Sequence, residues 1–527
     1  MSRPMRAMQK EGAPPRHRLS KVLAVLLGAG LLSSVGIAGS APVARATAST
    51  PSAAATVSLT AVDPGIQPIV RQTRALTAEV FGYLPYWRLD ANTAGQLQYD
   101  LLSTIGFFGL GIKADGNLDT TWIGYKSYLS DDAVAVTNAA HAAGVRVMPT
   151  FQLFDSGTLP KMTAFLNSTT AQNRFIGQAL ALMDRRSADG ASLDFEPVPA
   201  SVEDAYAAFV GRFHTAMKAR FPRAILVNAT SAGASTNLIA RLVPNVEQLF
   251  AMTYNYHWSG STVAGPIAPL DNATRTVKKH IARFLSVAPA SKILLGEGIY
   301  GYDWPVTSNG PYATVRANRT LYGGVWSVTY RSVHDFLAAH PDVVPQEDIV
   351  QGSGWFSYRD TENNTWRQVY FESEVSTAAK DDYAIAKGLA GIGLWTLGND
   401  RGYTQIWDVI HAKFYSPSHA IALRGTVFHV SAGSTYVTAD VWQRIANSGN
   451  VPETGTLGWV IRDKYGLSRT HGSKTVTIYP GKTATYITHA TIGTRRGLAA
   501  GTYRLYLTYI ARSGTWKATP FAFRQPY

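Results

Sequence analysis

A chain of 527 residues, 46% of them apolar, is too long for one ordinary small domain and rich enough for a sizeable core, so two globular units are expected. It holds no cysteine, which excludes disulfides, thiolate chemistry and cysteine-ligated metal. The net charge of +14 is uneven: residues 1–46 carry seven Lys or Arg and one Glu, residues 47–415 carry 29 basic and 31 acidic residues, and residues 416–527 carry thirteen basic residues against Asp440, Glu453 and Asp463.

In chain order, residues 1–46 read as an export signal. A basic stretch (Arg16, Arg18, Lys21) precedes an apolar run from Val22 to about Gly39, and Ala44-Arg45-Ala46 forms a small-x-small cleavage site. A membrane anchor is the alternative reading, but Gly, Ser and Pro interrupt the run soon after Leu32, and no second apolar segment of about 20 residues follows. The mature protein is therefore expected to start near Thr47, to be secreted to the extracellular space or cell wall, and to have no stable membrane insertion. Residues 47–75, rich in Ala, Ser, Thr and Pro, read as a linker without a folding role.

From 76 to 415, short apolar or β-branched runs alternate with helical stretches, the pattern of repeated β-α units on a parallel sheet. Eight runs are expected as strands: Glu79–Leu84, Thr104–Leu110, Arg146–Phe151, Gly190–Phe195, Ala224–Asn228, Leu249–Tyr254, Lys292–Gly296 and Gly391–Trp395. Helices are expected at Asp131–Ala143, Asn173–Arg185 and Val202–Arg220. Eight such units predict an α/β fold, a (β/α)8 TIM barrel with one enlarged loop between its last two strands. Residues 416–527 change to strand-like alternation at Thr435–Trp442, Gly458–Arg462, Thr475–Tyr479, Ala484–Thr488 and Thr502–Ile510, which predicts a small, basic, immunoglobulin-like β-sandwich.

The segment Asp189-Gly190-Ala191-Ser192-Leu193-Asp194-Phe195-Glu196 lies on the fourth strand and its exit. In extended backbone Ser192, Asp194 and Glu196 share one face, successive positions about 6–7 Å apart, and Asp189 takes the opposite parity. Barrel enzymes gather reactive groups at the C-terminal strand ends, where Glu196 stands before Pro197. Two carboxylates so close in a partly dry cleft cannot both ionise freely, so the pair offers an acid beside an anion, as glycosidic cleavage requires. The alternative is that the pair only balances charge at a strand end.

These eight residues resemble the D-G-x-x-x-D-x-E signature of family-18 glycoside hydrolases, a family of chitinases and cell-wall hexosaminidases. The resemblance extends to Phe81-Gly82-Tyr83-Leu84-Pro85-Tyr86-Trp87 on the first strand, Met252-Thr253-Tyr254-Asn255 on the sixth and Gly393-Leu394-Trp395 on the eighth, and covers roughly residues 76–415. It implies that Glu196 protonates the leaving oxygen. Asp194 would orient the substrate's own N-acetyl group, which takes the place of an enzymic nucleophile. It further implies that Tyr254 bonds the acetamido oxygen, that Trp395 floors the sugar pocket with Tyr83, Ser192 and Asn255 beside it, and that Asp189 is structural. Barrel packing is the alternative for Tyr83 and Trp395.

Two positions depart from the family pattern. Ser192 and Asn255 stand where many chitinases carry Asp, which alters the proton handling around Asp194 and is expected to alter activity without abolishing it. Together with the segment Trp366 to Lys380, including Tyr370-Phe371-Glu372-Ser373-Glu374, the first departure looks like the spore-germination branch, which acts on N-acetylglucosamine bonds in peptidoglycan.

His257 beside Trp258 is a candidate substrate contact or a satisfied core histidine. No H-E-x-x-H, calcium-loop or P-loop pattern occurs, so neither a metal nor another cofactor is expected. The basic tail fits anionic cell-wall polymers better than nucleic acid. Trp442, Trp459 and Tyr506 are read as sandwich core in preference to sugar platforms. The expected function is cleavage of β-1,4 bonds in chitin or peptidoglycan. The competing readings are a non-catalytic carbohydrate-binding protein and a structural scaffold.

Overall fold

The computed structural model describes residues 63–525 except 64, 72, 73, 156–159, 417, 418, 448, 450, 480, 481, 495, 499, 512 and 519. The expected export signal and cleavage site lie outside the described residues. The chain divides into two units, one running through Ile69 and from Ala78 to Phe414, the other pairing Val70–Thr77 with the chain from Tyr415 onward.

The first unit contains a closed parallel barrel. Its strands are β1 (Glu79–Pro85), β2 (Thr104–Gly111), β3 (Arg146–Phe154), β4 (Gly190–Glu196), β5 (Ile225–Ser231), β6 (Gln248–Met252) and β7 (Ile293–Gly298). After an insertion holding β8 (Tyr300–Val306), β9 (Trp326–Thr329), β10 (Gln346–Asp348), β11 (Ser353–Asp360) and β12 (Thr365–Phe371), β13 (Gly391–Trp395) closes the barrel between β7 and β1. The predicted TIM-type fold is present, each barrel strand starting within one residue of its expected position. β6 ends two residues early, where the Thr253 amide turns back to the Ala251 carbonyl at 2.8 Å, and Asn255 then takes a left-handed backbone (φ 64°).

Alternation explains what faces where. Phe81, Tyr83, Phe108, Met148, Val227, Phe250 and Leu294 fill the barrel interior, while Phe195, from the other face of β4, packs outward on Phe165, Tyr206 and Phe209. The interior rings crowd two backbones: a Cβ on Gly106 would lie 2.7 Å from the Phe81 ring, and one on Gly393 2.2 Å from Phe250. Outside run helices α1 (Asp131–Ala142), α2 (Thr169–Arg185) and α3 (Glu203–Arg220). The first two begin where Ser130 and Ser168 accept the Ala133 and Ala171 amides.

The expected linker is corrected in its described part. Asp63 bonds Arg185 and Arg186 at 2.8 and 2.9 Å, the Gly65 carbonyl accepts from Asn138, and Ile66 is buried, so this stretch is pinned on α1 and the end of α2. Leu76 bridges Tyr415, and the Ser416 amide donates to Ala75. The Ala/Ser/Thr-rich composition concealed these contacts because they use one aspartate and backbone groups.

The enlarged loop is a folded insertion. Its antiparallel sheet, ordered β10-β11-β12-β8-β9, packs with α4 (Tyr330–Ala339) around Val328, Val333, Phe336, Phe356, Val369 and Phe371. Arg367 bonds the buried Asp303 at 2.9 Å, and the Tyr358 hydroxyl donates to the same carboxylate at 2.9 Å. The chain then enters α5 (Glu374–Ala386), capped by Ser373, and Lys380 on α5 pairs with buried Glu372 at 2.6 Å. The segment 366–380, singled out as a family marker, is thus structural scaffolding of the insertion.

In the second unit, β14 (Ile421–Ala432), β15 (Tyr436–Asn447) and β18 (Thr483–Thr494) form one sheet. The other is ordered β17 (Ser468–Ile478), β16 (Glu453–Arg462), β19 (Gly501–Ala511) and β20 (Gly514–Lys517), with β21 (Phe521–Gln525) also on β19. Both line one core that includes Val437, Val441, Ile461, Leu505 and Tyr509, which makes the expected sandwich. Trp459 packs on that core. Trp442 and Tyr506 do not: they fall on the opposite parity, half-buried on outer faces, contrary to the core reading.

Candidate active site

β4 places Asp194 and Glu196 on the inward face, with Gln152 of β3 and Ala229 of β5 level with Asp194. Asp194 is 5% exposed and Glu196 half-buried at the strand end. Burial, the Glu196 charge and a hydrogen bond with Glu196 hold Asp194 well above the usual carboxylate range. Burial lifts Glu196 to about 7, a rise that its bond with Asp194 moderates. The two carboxyls therefore hold a proton between them at neutral pH, and Glu196, the more exposed, is the group able to deliver it.

Ser192, fully buried one pleat deeper, bonds the Tyr83 hydroxyl at 2.9 Å, and Asp194 Oδ1 has no protein partner. Where a carboxylate at position 192 would face Asp194, a neutral hydroxyl is tied to a tyrosine instead. Asp189 sits at the other end of β4, accepting from the Val147 amide at 2.9 Å and bonded to His141 at 3.0 Å. Burial opposes charge on His141, but the Asp189 bond and charge and the Gln67 carbonyl raise its pKa above the ordinary value.

Aromatic rings wall the site. Trp395, level with Tyr83 on the adjacent strand, has ring centres of Phe108, Tyr83 and Trp87 at 4.8, 5.7 and 6.4 Å. Tyr254 packs on Phe250 and Tyr300 at 6.5 and 6.2 Å, and burial raises its hydroxyl pKa well above normal, so the phenol stays a neutral donor. Asn255 points its Oδ1 at the Tyr302 hydroxyl, 3.2 Å away, which links the site to the first strand of the insertion. His257 donates its Nδ1–H to the Pro266 carbonyl, 2.8 Å away, and burial lowers its pKa, so it is a satisfied histidine.

The structure thus brings Tyr83, Ser192, Asp194, Glu196, Tyr254 and Trp395 to one end of one barrel, with Asn255 beside them and Asp189 apart. Sequence reasoning passed over Thr150 and Gln152, inward polar residues level with Ser192 and Asp194 whose Oγ1 and Oε1 are buried without a protein partner. Two polar positions at strand parity in the apolar run that follows Arg146 in β3 were the available signal. Trp87, Phe108 and Tyr300 were also missed as wall residues, since nothing in an isolated aromatic distinguishes wall from core.

The family model for glycosyl hydrolases family 18 matches residues 82–400. YdhD of Bacillus subtilis, whose name places it among sporulation-specific glycosylases, is 27% identical over 44% of this chain and 52% of its own length. The cortical fragment-lytic enzyme of Bacillus anthracis is 23% identical over 59% of this chain and 68% of that protein. The chain therefore spans about half to two thirds of these curated relatives. A family-18 chitinase of Cycas revoluta, solved with a trisaccharide of N-acetylglucosamine, superposes with a TM-score of 0.56 at 18% identity, covering 64% of this chain and 99% of that one.

Proposed function

The chain belongs to glycosyl hydrolase family 18, and we propose that it is a secreted glycosidase cleaving β-1,4 bonds of N-acetylglucosamine-containing polymers. The observation that carries this is the Asp194–Glu196 pair, a proton-holding couple at the exit of β4 beside an aromatic floor.

Glu196, poised near pH 7, donates its proton to the glycosidic oxygen as the bond to the anomeric carbon breaks. The substrate's acetamido oxygen attacks that carbon from the other face, and Asp194 accepts from the acetamido N–H and stabilises the cyclic cation. Tyr254 donates to the acetamido oxygen, and Trp395 carries the sugar ring. Glu196, now ionised, takes a proton from the water that opens the cyclic intermediate, so configuration is retained. Peptidoglycan is favoured over chitin because Ser192 departs from the chitinase pattern and because relatives named for spore cortex lysis align over the barrel. Asn255 and Ser192 also favour a second reading, a carbohydrate-binding protein without turnover, because neither can share charge with Asp194.

Residues 47–527 incubated with N-acetylglucosamine oligomers and with purified peptidoglycan, beside Glu196→Gln, decide between them. Sugar release that vanishes in the variant supports a hydrolase. Binding without release by the parent protein overturns it.

A further inference from the structure

The second unit carries a cationic face that the barrel chemistry does not use. On the outer side of its larger sheet, Arg462 of β16 stands directly opposite Arg504 of β19, and on the next strand Arg524 of β21 faces Thr502, two positions from Arg504. All three arginines are exposed. Lys464, in the turn after β16, lies near the strand start, its stem 2.8 Å from where a Cβ on Gly501 would sit, on the opposite parity to Arg504. Directly opposite side chains on paired strands lie only about 4.5–5.5 Å apart, so like charges there repel.

Among the described residues of this unit, no acid pairs with these arginines. The acidic residues of 416–527 are Asp440, Glu453 and Asp463. Asp463 is nearest but is buried, bonded to Arg469 at 2.6 Å and to the Tyr465 and Leu467 amides. Asp440 pairs with His489 on the smaller sheet, and Glu453 is buried against His419 and Ser513. Tyr465 adjoins the patch, 72% exposed, with the Lys464 ammonium 5.0 Å from its ring centre.

We propose that this face, built on Arg462, Arg504 and Arg524, binds an anionic glycan strand. Guanidinium forks take carboxylate or phosphate oxygens two at a time, and an exposed tyrosine beside them offers a sugar ring a platform. A row of cations across three paired strands suits an extended chain, and charge complementarity supplies the attraction. The choice of a glycan over another polyanion rests on the reading of the barrel as a wall-glycan hydrolase.

The test uses residues 47–527, native-gel retardation by polygalacturonate as the anionic probe, and neutral dextran, duplex DNA and anionic phospholipid vesicles as comparisons. Retardation by polygalacturonate but not dextran, weakening steeply with salt, is expected. Arg462→Ser/Arg504→Ser/Arg524→Ser should lose on the order of tenfold in affinity and melt close to the parent, since the repulsion removed offsets the lost hydrogen bond from Arg462 to the Gly466 carbonyl. The corresponding triple Lys variant should keep most of the binding and guards against a folding artefact in the Ser variant. Unchanged binding in the Ser variant, or tighter binding to DNA or vesicles than to polygalacturonate, overturns the proposal. Hydrolysis of neutral N-acetylglucosamine oligomers should be equal in parent and Ser variant. Arginine-dependent retardation by a protein without oligomer turnover would sink the hydrolase reading and leave this one standing.

Discussion

Ser192→Asp restores a carboxylate that this chain lacks, and its consequences follow from the register of β4. Position 192 lies two residues before Asp194 on the same face, about 6.6 Å away at strand rise. An added negative charge at that distance is worth about 2.5 kcal/mol at an effective dielectric of 20, which is nearly two pH units at 1.36 kcal/mol each. The Tyr83 hydroxyl, now bonded to Ser192, can donate to the new carboxylate and favour its ionised form. Asp194 then holds its proton more tightly, and the couple it forms with Glu196 empties at higher pH. The parent's kcat/KM on N-acetylglucosamine oligomers should fall on the alkaline side with a midpoint near 7, because Glu196 titrates at about 7 and acts as an acid. In Ser192→Asp that midpoint should rise by about one to two units. Stability moves the other way: a buried carboxyl with a raised folded pKa costs nothing below its unfolded value near 4 and progressively more as pH climbs toward the folded value. The variant should therefore melt like the parent at pH 4 and below it at pH 7. An alkaline limb that stays in place or moves down would refute the electrostatic account of the couple.

Glu196→Gln should lower kcat by about 10²–10⁴-fold with oligomer binding kept, measured by product release and by calorimetry, since only the proton is lost. Trp395→Ala should weaken oligomer binding by about 2 kcal/mol, read as a rise in KM, through loss of the aromatic floor. Arg367→Met should destabilise by about 3–5 kcal/mol in urea melts, because Asp303 is left charged, buried and without its cation. Asp381 on α5 is buried, and burial lifts it to about 8, with both its oxygens lacking ordinary hydrogen bonds. Asp381→Asn should gain nothing below pH 4 and roughly 1–3 kcal/mol by pH 7, a pH-dependent rise in melting temperature.

The barrel was legible because its strands are apolar runs bounded by turn residues and its helices carry apolar residues near helical spacing, both local signals. Glu196, Asp194 and Trp395 were legible because motif and strand parity agree on them. The insertion was not: β8 to β12 pair across up to about 70 residues of chain, and no local pattern announces that Trp366 will lie against Val306. The outer placement of Trp442 and Tyr506 was missed for a related reason, since parity along a strand states which residues share a face and not which face is covered. Likewise nothing in the local sequence marks Glu297, Glu372 and Asp381 as buried acids, yet all three are buried.

Tyr302 of β8 donates to Asn255, and Tyr300 packs against Tyr254. The insertion is therefore rooted in the 254–255 corner at the end of β6. A protein engineer who exchanged residues 300–371 for a longer or shorter insertion, to change how much polymer the cleft grips, would at the same time release Asn255 and unseat Tyr254. Grafts between barrels of this kind should carry the tyrosine pair and the 254–255 corner as one indivisible part.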